Sequence, residues 1–498
     1  MIFEYHTSKN MKLPINENPS IYPYSNYGYM NAILENREIL KLKILNRMSK
    51  IWNVSDNSDI NLNENNITIL SPLEEKNTMG MIHRACEPND ELIIKVDYYR
   101  VLDNEAYFSI LIKDDKENRN NSCGYAVTNY GFYIKDKMIK YEDVNYYWFK
   151  LIRDKNQLSF FASVNGDDWD IIYKEECSWL SSAELPIIGI YYSLGNHQYN
   201  NFKYMNYIQL FLDLNDIHGR RWLDYYMLPR KEHDHIYGVF SHFIDTEYHN
   251  VDEVCSIYGS VSNFVNFSIN NNYYVSMLLD EYYVPNRWAY EKEHYEHSNL
   301  IYGFNDNFYY LLGFNDKVTA SELPQESLDI AYYPYKRITR YRFSINLKTL
   351  EFNLDNFIIN LYEFIEGENS GLKYSNILFQ RDGIFGLKIF ECLLNDEKAK
   401  NLLFKDKRIS YILYEHSKIM RERLDYLFEK CYISEYYRDD LINKCDNILH
   451  TSEILKNLLI KFRYIQNGES KIMLYLKELY EKEQVFYKKL YNILKIEK

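Results

Sequence analysis

Eight short runs that are apolar, or alternate between apolar and polar residues, follow one another between residues 51 and 213. Polar breaks rich in Asn and Asp separate the runs, and no amphipathic helical pattern lies between them. They read ITIL, LIIKVDYYRV, AYFSILIKD, GYAVTNYGFYI, YYWFKLIRD, LSFFASVNG, IIGIYYSL and NYIQLFLDL. Short strands at such spacing are typical of an antiparallel sandwich. We therefore predict an antiparallel β-sandwich over residues 49–213.

One hairpin is predicted inside this stretch, in the segment FFASVNGDDWDIIYKEE. Asn165 and Gly166 form a dipeptide that tight hairpin turns prefer, with alternating apolar residues on both sides, and Trp169 follows. This segment resembles the strand–turn–strand of concanavalin-like sandwich domains. PIIGIYYSL and FKYMNYIQLFLD resemble the last two strands of such domains. The resemblance covers most of the predicted sandwich and implies a concanavalin-like fold.

The pattern changes twice after the sandwich. From residue 214 to about 350, aromatic-rich helical segments such as VFSHFIDTEYHNVDEVCSIYGSVSNFV lead into the β-type runs YYVSMLLDEYYV, LIYGF and FYYLLGF, which indicates an α+β unit. Residues 351–498 carry apolar positions at helical spacing, which predicts a helical C-terminal region. Two stripes show that spacing: Ile412, His416, Ile419, Arg423 and Leu427, and then Ile472, Leu476 and Leu479.

Length and composition limit the classes of function. With 498 residues the chain exceeds the roughly 250–300 residues at which one hydrophobic core stops growing, so several domains are expected. The net charge of −13 argues against a nucleic-acid partner, because phosphate binding depends on Lys and Arg. Seven scattered cysteines without CxxC spacing indicate free thiols rather than a disulfide framework or a zinc site.

The N-terminus has no basic start followed by an apolar core, and no stretch of about 18 apolar residues occurs. We therefore expect a cytoplasmic protein with no membrane partner. The glycine-rich motifs that cradle phosphates are missing as well, so we expect no nucleotide and no other cofactor.

A histidine opens the run HSNLIYGF, and a glycine follows it six positions later. His297 and Gly303 thus resemble papain-like and bacteriocin-processing cysteine peptidase folds, in which the catalytic histidine opens a core strand. Those folds place an Asn or Asp at the end of a neighbouring strand, where it accepts the second imidazole N–H. The segment FYYLLGFND supplies Asn315 and Asp316 for that role. The plainer alternative is a histidine that bridges buried polar groups at a strand edge.

The resemblance extends to both sides of this histidine. The segments VSMLLDEYYVPNRWAYEKEHYEHSNLIYGF, RISYILYEHSKIMRERLDYL and KLPINENPSIYPYSNYGYMNAIL resemble blocks of a poorly characterised bacterial family that is often associated with nonribosomal peptide assembly. That family is related in fold to the N-terminal domain of the butirosin-pathway acyltransferase. The resemblance implies a papain-like domain: residues 1–48 supply its N-terminal segment and first helix, residues 214–350 its α+β part. The sandwich would interrupt it, with NYIQLFLDL as both the last sandwich strand and the return.

The nucleophile of that family has no counterpart at its usual position. In the acyltransferase-like proteins a Cys begins the first helix, in a C-Y-x-N-A arrangement that lowers its pKa. Aligning YMNA at residues 29–32 with that arrangement places Gly28 where the Cys would be. Ser25 is an alternative nucleophile, but a serine there is more often a helix cap. Cys255 is another, although its apolar helical spacing favours a packed thiol.

Metal binding is the next chemistry to weigh. His233 and His235 lie two residues apart, and His294 and His297 lie three apart. A zinc site needs three or four convergent ligands, and neither segment matches a zincin pattern. We therefore expect no metal site.

The predicted sandwich offers candidate binding residues of its own. Trp148, Trp169 and Tyr191 are potential stacking platforms for a carbohydrate, although Trp169 also fits a core position under its hairpin. Asp167 and Asp168 adjoin the turn. Aspartates in turns usually cap the turn, so calcium binding is the less favoured interpretation.

Two functions from different classes stay open. One is an accessory protein of bacterial peptide or specialised-metabolite biosynthesis, whose degenerate papain-like cleft binds a peptide, a carrier-protein-tethered chain or a glycan-like ligand. The other is an acyl or peptidyl transferase, or a cysteine-peptidase-like enzyme, with His297 as general base and Asn315 or Asp316 as its orienter. Gly28 at the nucleophile position favours the binding function. A Ser or Cys within about 4 Å of the His297 ring would favour the enzyme.

Overall fold

The computed structural model shows an α+β protein with two compact units. The first unit comprises Met1–Pro19, Ala32–Asn200 and His242–Thr349, and the second comprises Ser20–Asn31, Asn201–Ser241 and Leu350–Lys498. The structure describes residues 10–20, 25–36, 38–45, 52–54, 60–63, 66–70, 77–99, 107–114, 121–128, 131–134, 137–140, 146–196, 208–213, 222–227, 244–315, 317–334, 337–343, 352–369, 383–465 and 467–497.

Strands predominate in the described residues up to Phe343, and helices predominate from Leu354 onward. The strands are β1 (Met11–Lys12), β2 (Glu38–Ile44), β3 (Asn53–Val54), β4 (Ile60–Asn63), β5 (Asn66–Leu70), β6 (Asn77–Ala85), β7 (Asn89–Tyr99), β8 (Tyr107–Asp114), β9 (Ser122–Thr128), β10 (Gly131–Ile134), β11 (Lys137–Lys140), β12 (Trp148–Asp154), β13 (Gln157–Ser163), β14 (Asp170–Glu176), β15 (Pro186–Asn196), β16 (Ile208–Asp213), β17 (Trp222–Met227), β18 (Ile244–Asn250), β19 (Tyr274–Asp280), β20 (Glu296–Phe304), β21 (Phe308–Asn315), β22 (Lys317–Pro324), β23 (Arg337–Phe343) and β24 (Gly383–Phe385). The helices are α1 (Ser25–Leu34), α2 (Val251–Tyr258), α3 (Val261–Asn270), α4 (Gln325–Ala331), α5 (Leu354–Glu366), α6 (Lys388–Asn395), α7 (Glu397–Lys405), α8 (Lys407–Glu429), α9 (Arg438–Ile465) and α10 (Glu469–Glu497).

The first unit contains a β-sandwich of two seven-stranded antiparallel sheets. One, the β12 sheet, has the order β14-β13-β12-β7-β2-β5-β4, and the other, the β15 sheet, has the order β11-β10-β9-β8-β15-β6-β3. Side chains alternate between the two faces of a strand, so every second residue turns to the core. On β12, Phe149 and Leu151 are buried, whereas Trp148 and Lys150 are half-buried on the other face. Both sheets contribute to one hydrophobic core.

The limits of the sandwich differ from the predicted range of 49–213. Its strands run from Glu38 to Asn196, because β2 pairs with both β5 and β7. The run IQLFLD was predicted to be the last sandwich strand, which is wrong. It forms β16, which pairs with β17 and β24 in a three-stranded sheet of the second unit. An apolar run has the same appearance in any sheet, and only long-range pairing selects its partners.

The predicted hairpin is confirmed. β13 and β14 pair in antiparallel orientation, and Gly166 adopts a φ of 86°, which favours glycine. The Asn165 side chain accepts hydrogen bonds from the backbone N–H groups of Asp167 and Asp168, both at 2.9 Å. Its amide group also donates to the Asp168 carboxylate at 3.0 Å. The turn therefore engages the backbone of both aspartates and the side chain of Asp168.

A second sheet region of the first unit has the order β18-β23-β19-β20-β21-β22, with β1 beside β20. The N-terminal segment therefore joins this sheet, since Lys12 pairs with Gly303. Residues 244–250, predicted to be helical, form strand β18, because they pair with β23 along their whole length. The Tyr147 hydroxyl, from the sandwich, donates a hydrogen bond to the carbonyl of Asn270 at the end of α3. That contact links the sandwich to the second sheet region.

The second unit combines the small β17-β16-β24 sheet with helices α5 to α10. Both predicted helical stripes are confirmed, because their members are buried on α8 and α10. Within the part of the chain that the structure describes, no helix has both the length and the apolar composition needed to cross a bilayer.

A carboxylate lies fully inside the helical region. Glu483 of α10 is buried, and the loss of hydration raises its pKa from the ordinary value of 4.5 to about 8. Between these two pH values the folded state holds a proton that the unfolded state has lost. The free energy of unfolding must therefore fall as the pH rises from about 4.5 to about 8.

We predict that Glu483→Gln, which stays neutral, is more stable than the wild type by on the order of 2–4 kcal/mol at pH 8 and by much less at pH 5. Urea unfolding at the two pH values measures both differences. Glu481→Gln, on the exposed part of the same helix, is the control and should show no such change. A difference that is equal at pH 5 and pH 8 would contradict a neutral, buried Glu483.

The alternation on β13 provides a test of the sandwich core. Phe160 is fully buried, and its neighbour Phe161 is half-buried on the opposite face under the Lys150 ammonium group. Phe160→Ala should destabilise the protein by about 3–5 kcal/mol, because it leaves a cavity in the core. Phe161→Ala should cost about 1 kcal/mol or less. Urea denaturation measures both values, and equal losses would show that the assigned faces are wrong.

Candidate functional site

His297 lies at one end of the second sheet region, as the second residue of β20. β21 runs antiparallel beside it and ends at Asn315. Leu300 pairs with Leu312, so His297 and Asn315 each lie three residues beyond that pair, at the same end of the sheet. The side chain of Asn315 and the whole of Asp316 lie outside the described residues.

A buried glutamate holds the imidazole of His297. Its Nδ1 lies 2.9 Å from Oε1 of Glu281, whose side chain is 0% exposed, whereas the His297 side chain is 26% exposed. Glu281 begins a 3₁₀ turn directly after β19, and its backbone N–H donates to the Tyr295 carbonyl at 2.9 Å. The hydrogen bond assigns the proton of the neutral ring to Nδ1 and leaves the Nε2 lone pair to accept. Glu281 thus has the orienting position that the sequence interpretation gave to Asn315 or Asp316.

An arginine compensates the buried carboxylate. The Nε atom of Arg287 lies 3.7 Å from Oε1 of Glu281, and both side chains are 0% exposed. Arg287 Nη2 donates to Asn299 Oδ1 at 3.2 Å, and Asn299 Nδ2 donates to the His297 carbonyl at 3.2 Å. The four residues therefore form a closed network behind the imidazole. Without this network, the desolvated Glu281 carboxylate would lower the stability of the fold by several kcal/mol.

Two glycines near the site have different reasons to be glycine. A Cβ at Gly313 would lie 2.5 Å from Arg287 Nη2 and 2.6 Å from Asn299 Oδ1, so Gly313 makes room for the network. A Cβ at Gly303 would lie 2.7 Å from the Met11 carbonyl oxygen, so Gly303 permits the close approach of β1. The spacing from His297 to Gly303 therefore has a packing explanation within the sheet.

Aromatic rings continue the surface around the imidazole. Trp288 and Tyr295 have ring centroids 5.1 Å apart, Tyr295 and His297 5.6 Å, and His297 and Phe314 6.1 Å. Trp288 is 46% exposed and Tyr295 is 40% exposed. The imidazole thus belongs to a surface on which apolar groups of a ligand can pack.

A second histidine–carboxylate pair lies on the adjoining loop. Nδ1 of His294 is 2.6 Å from Oδ2 of Asp280, and the His294 ring stacks on Tyr282 at 4.6 Å. The other Asp280 oxygen accepts from the backbone N–H groups of Tyr282 and Tyr295, both at 3.1 Å. His294 is largely exposed, so this pair adds a polar group to the rim of the site.

Among the described residues, the hydrogen-bond and ring partners of the imidazole are Glu281, Tyr295 and Phe314, and none of these is a serine or a cysteine. Cys255 lies beside a different residue, Tyr332, because burial and then the nearby Cys255 thiol raise the pKa of the Tyr332 phenol. Ser25 begins α1, but its side chain lies outside the described residues. Gly28 is buried in the same helix.

The three candidate sugar-binding residues of the sandwich are not brought together. Trp148 belongs to the β12 sheet and packs over the hairpin turn, where a Cβ at Gly166 would lie 2.9 Å from its ring. The Lys150 ammonium group lies 3.9 Å from the ring centroid of Trp169. Tyr191 belongs to the β15 sheet, beside Tyr107, with centroids 6.0 Å apart. Since Trp148 and Tyr191 both alternate with buried residues, they lie on the outer faces of different sheets.

Residue types that bind metals were considered at two pairs of histidines and are found together at a different place in the described residues. His233 and His235 lie outside the described residues. Within the described part of the chain, one group of three such ligands gathers, formed by Cys123, Glu175 and Cys177. The spacing of the cysteines did not indicate this group, because Cys123 lies on β9, far along the chain from Glu175 and Cys177.

No protein-family model and no curated protein matches this chain. The site is therefore defined by its own geometry: an imidazole oriented by a buried carboxylate, next to exposed aromatic rings. Sequence reasoning found His297 but missed Glu281, Arg287 and Asn299. The segment LLDEYYVPNRW contains a signal for two of them, since an acid and an arginine follow an apolar run that was predicted to be a strand.

We predict that Glu281→Gln lowers the free energy of unfolding by about 3 kcal/mol, because it leaves the Arg287 guanidinium buried without its counter-charge. The double variant Glu281→Gln/Arg287→Met should be less destabilised than the two single variants added together. Urea unfolding measures all three, with Glu293→Gln in the exposed loop as the control. Strict additivity would contradict a coupled ion pair.

Proposed function

We propose that this protein binds a peptide, or an acyl or peptidyl chain tethered to a carrier protein, through the surface formed by His297, Trp288 and Tyr295. The observation that carries the proposal is the 2.9 Å contact between Glu281 and His297 Nδ1, which leaves the Nε2 lone pair to accept a hydrogen bond. The resemblance to the family associated with nonribosomal peptide assembly supports this class of ligand. The protein would then be an accessory factor of bacterial peptide or specialised-metabolite biosynthesis.

The chemistry of the surface fits an amide-containing chain. An imidazole with a free Nε2 accepts from an N–H or O–H group, and exposed Trp and Tyr rings pack against apolar side chains while their polar atoms stay in water. Peptides and carrier-protein arms present amide N–H groups beside apolar segments. A glycan-like ligand would also stack on these rings, and its hydroxyl groups would donate to the imidazole.

The histidine–glutamate pair also favours a second candidate function, acyl or peptidyl transfer. In that reaction His297 would take the proton from a hydroxyl or amine of an acceptor substrate as that group attacks a thioester carbonyl. The tetrahedral adduct would collapse with loss of the thiolate, and the imidazolium would return the proton to it. The nucleophile would come from the substrate, because Gly28 occupies the position that aligns with the family's cysteine.

The same proposal includes two fold assignments. The second sheet region would be papain-like, and the sandwich would be concanavalin-like. The pairing of β1 with β20 supports a domain that continues across the sandwich, because chain segments on both sides of it share one sheet. The sandwich would then be an inserted docking module for the carrier protein or for a carbohydrate.

We predict that an N-acetylated aromatic dipeptide and its pantetheine thioester bind the 498-residue protein. His297→Ala and Trp288→Ala should each weaken binding by about tenfold, through loss of a hydrogen bond or of ring packing. Isothermal titration calorimetry measures the affinities. His450→Ala removes an exposed imidazole from α9 and is the matched control, with no expected effect.

The same samples separate the two candidate functions. Release of free thiol from the thioester in the presence of an amine acceptor, dependent on His297, would establish the transferase instead of the binding protein. Equal affinity of the wild type and His297→Ala for both probes, without turnover, would refute the proposed site.

A further inference from the structure

The sandwich contains a cluster of chemistry-bearing side chains that the proposed function does not use. Cys123 Sγ lies 3.1 Å from Glu175 Oε2, and the ligand atoms of Cys123, Glu175 and Cys177 all lie within 4.8 Å of one another. Cys123 is 8% exposed and Cys177 is 3% exposed, whereas Glu175 is half-buried. The cluster therefore lies just below the surface of the sandwich.

The three side chains come from both sheets. Cys123 lies on β9, which is an inner strand of the β15 sheet, and Glu175 lies on β14, the edge strand of the β12 sheet. Cys177 follows β14 directly, and its backbone N–H donates to the Asn156 carbonyl at 2.7 Å. The chain is thus held in place on either side of the cluster, and a ligand bound there would bridge the two sheets.

Packing accounts for part of this arrangement only. Free cysteines are among the most buried residues, so two buried thiols need no special reason. A carboxylate turned towards those thiols does need a reason, because its partial burial costs desolvation and the group contributes no apolar contact. Burial and the Glu175 carboxylate raise the pKa of the Cys123 thiol, so the thiol donates a hydrogen bond to the carboxylate. A bound metal ion would displace the thiol protons, because a coordinating thiol is deprotonated outright.

We propose that Cys123, Glu175 and Cys177 bind one zinc ion, which ties the two sheets of the sandwich together. Zinc takes thiolate ligands at about 2.3 Å and carboxylate ligands at about 2.0–2.2 Å in tetrahedral geometry, so its donor atoms lie about 3.5–3.8 Å apart. Donors within 4.8 Å of one another reach that geometry by small side-chain shifts. Water occupies the fourth position. Calcium and magnesium are disfavoured, because two of the three donors are sulfur.

The test is a titration of the reduced, metal-free, full-length protein with Zn²⁺ alone, and with Co²⁺ as a spectroscopic probe. One equivalent should bind, and Co²⁺ should produce thiolate charge-transfer absorption together with the visible bands of a tetrahedral site. Cys123→Ser and Cys177→Ser should each weaken binding by on the order of 100-fold or more, since even residues behind the ligands contribute 10–100-fold. Glu175→Gln should weaken it by about tenfold or more.

The controls match each substitution in type and location. Cys86→Ser changes another buried cysteine of the sandwich, which contacts Arg153 at 3.6 Å, and Glu176→Gln changes the exposed neighbour of Glu175. Both should bind zinc as the wild type does. Zn²⁺ should raise the melting temperature of the wild type and of these controls, because it binds the folded site more tightly than the unfolded chain. It should not raise that of the cysteine variants at the same concentration.

Several results would overturn the proposal. They are no zinc binding by the reduced wild type, unchanged affinity in Cys123→Ser, or a cysteine pair that forms a disulfide in air and binds no metal after reduction. Glu175→Gln changes a ligand without altering the core. Its zinc affinity therefore tests the proposed site even if a serine variant fails to fold. Unchanged zinc affinity in Glu175→Gln, or tight binding of Cu⁺ but not Zn²⁺, would equally refute a zinc site of these three residues.

Discussion

The fully buried carboxylate of Glu281 is the constraint from which the rest of the candidate site follows. A charge without access to water must be compensated locally: Arg287 supplies the opposite charge, and His297 Nδ1–H donates a hydrogen bond. The guanidinium in turn needs an acceptor, which is Asn299, and space, which Gly313 leaves beside it. The same contacts hold the His297 ring in one orientation and one tautomer. The network that compensates the buried charge of Glu281 is therefore the same network that fixes the orientation and tautomer of His297.

The sandwich depends on a simpler rule, the alternation of side chains across each strand. Buried residues of β12 and β13 face those of the β15 sheet in one core, while Lys150 and Phe161 lie outside it. The sequence analysis predicted the alternating residues on both sides of the Asn165–Gly166 turn. The sequence did not predict which sheet a strand joins: β2 belongs to the sandwich and β16 does not, although both are short strand-like segments. Hydrogen bonding between distant segments decided that difference.

The candidate site was predictable to the extent that its members lie close in sequence. His297 at the start of a strand was anticipated from the pattern, and so was a nearby strand that ends at Asn315. Glu281 was not anticipated, because the resemblance directed attention to the next strand along the chain rather than to the preceding one. Gly303 was taken as part of a family spacing, whereas its place in the sheet is explained by the close approach of β1. A glycine at a family spacing can thus also be required by the packing of the sheet.

The sequence by itself determined the short-range features: the strand-rich stretch, the Asn165–Gly166 turn, and the helical stripes of α8 and α10. These depend on side-chain period and on turn chemistry, which neighbouring residues set. Only the tertiary structure decided the pairing of β16, the Glu281–Arg287–His297 network and the convergence of Cys123, Glu175 and Cys177. Each of these joins residues from different elements, and such contacts depend on desolvation and packing in the folded chain, which no local pattern encodes.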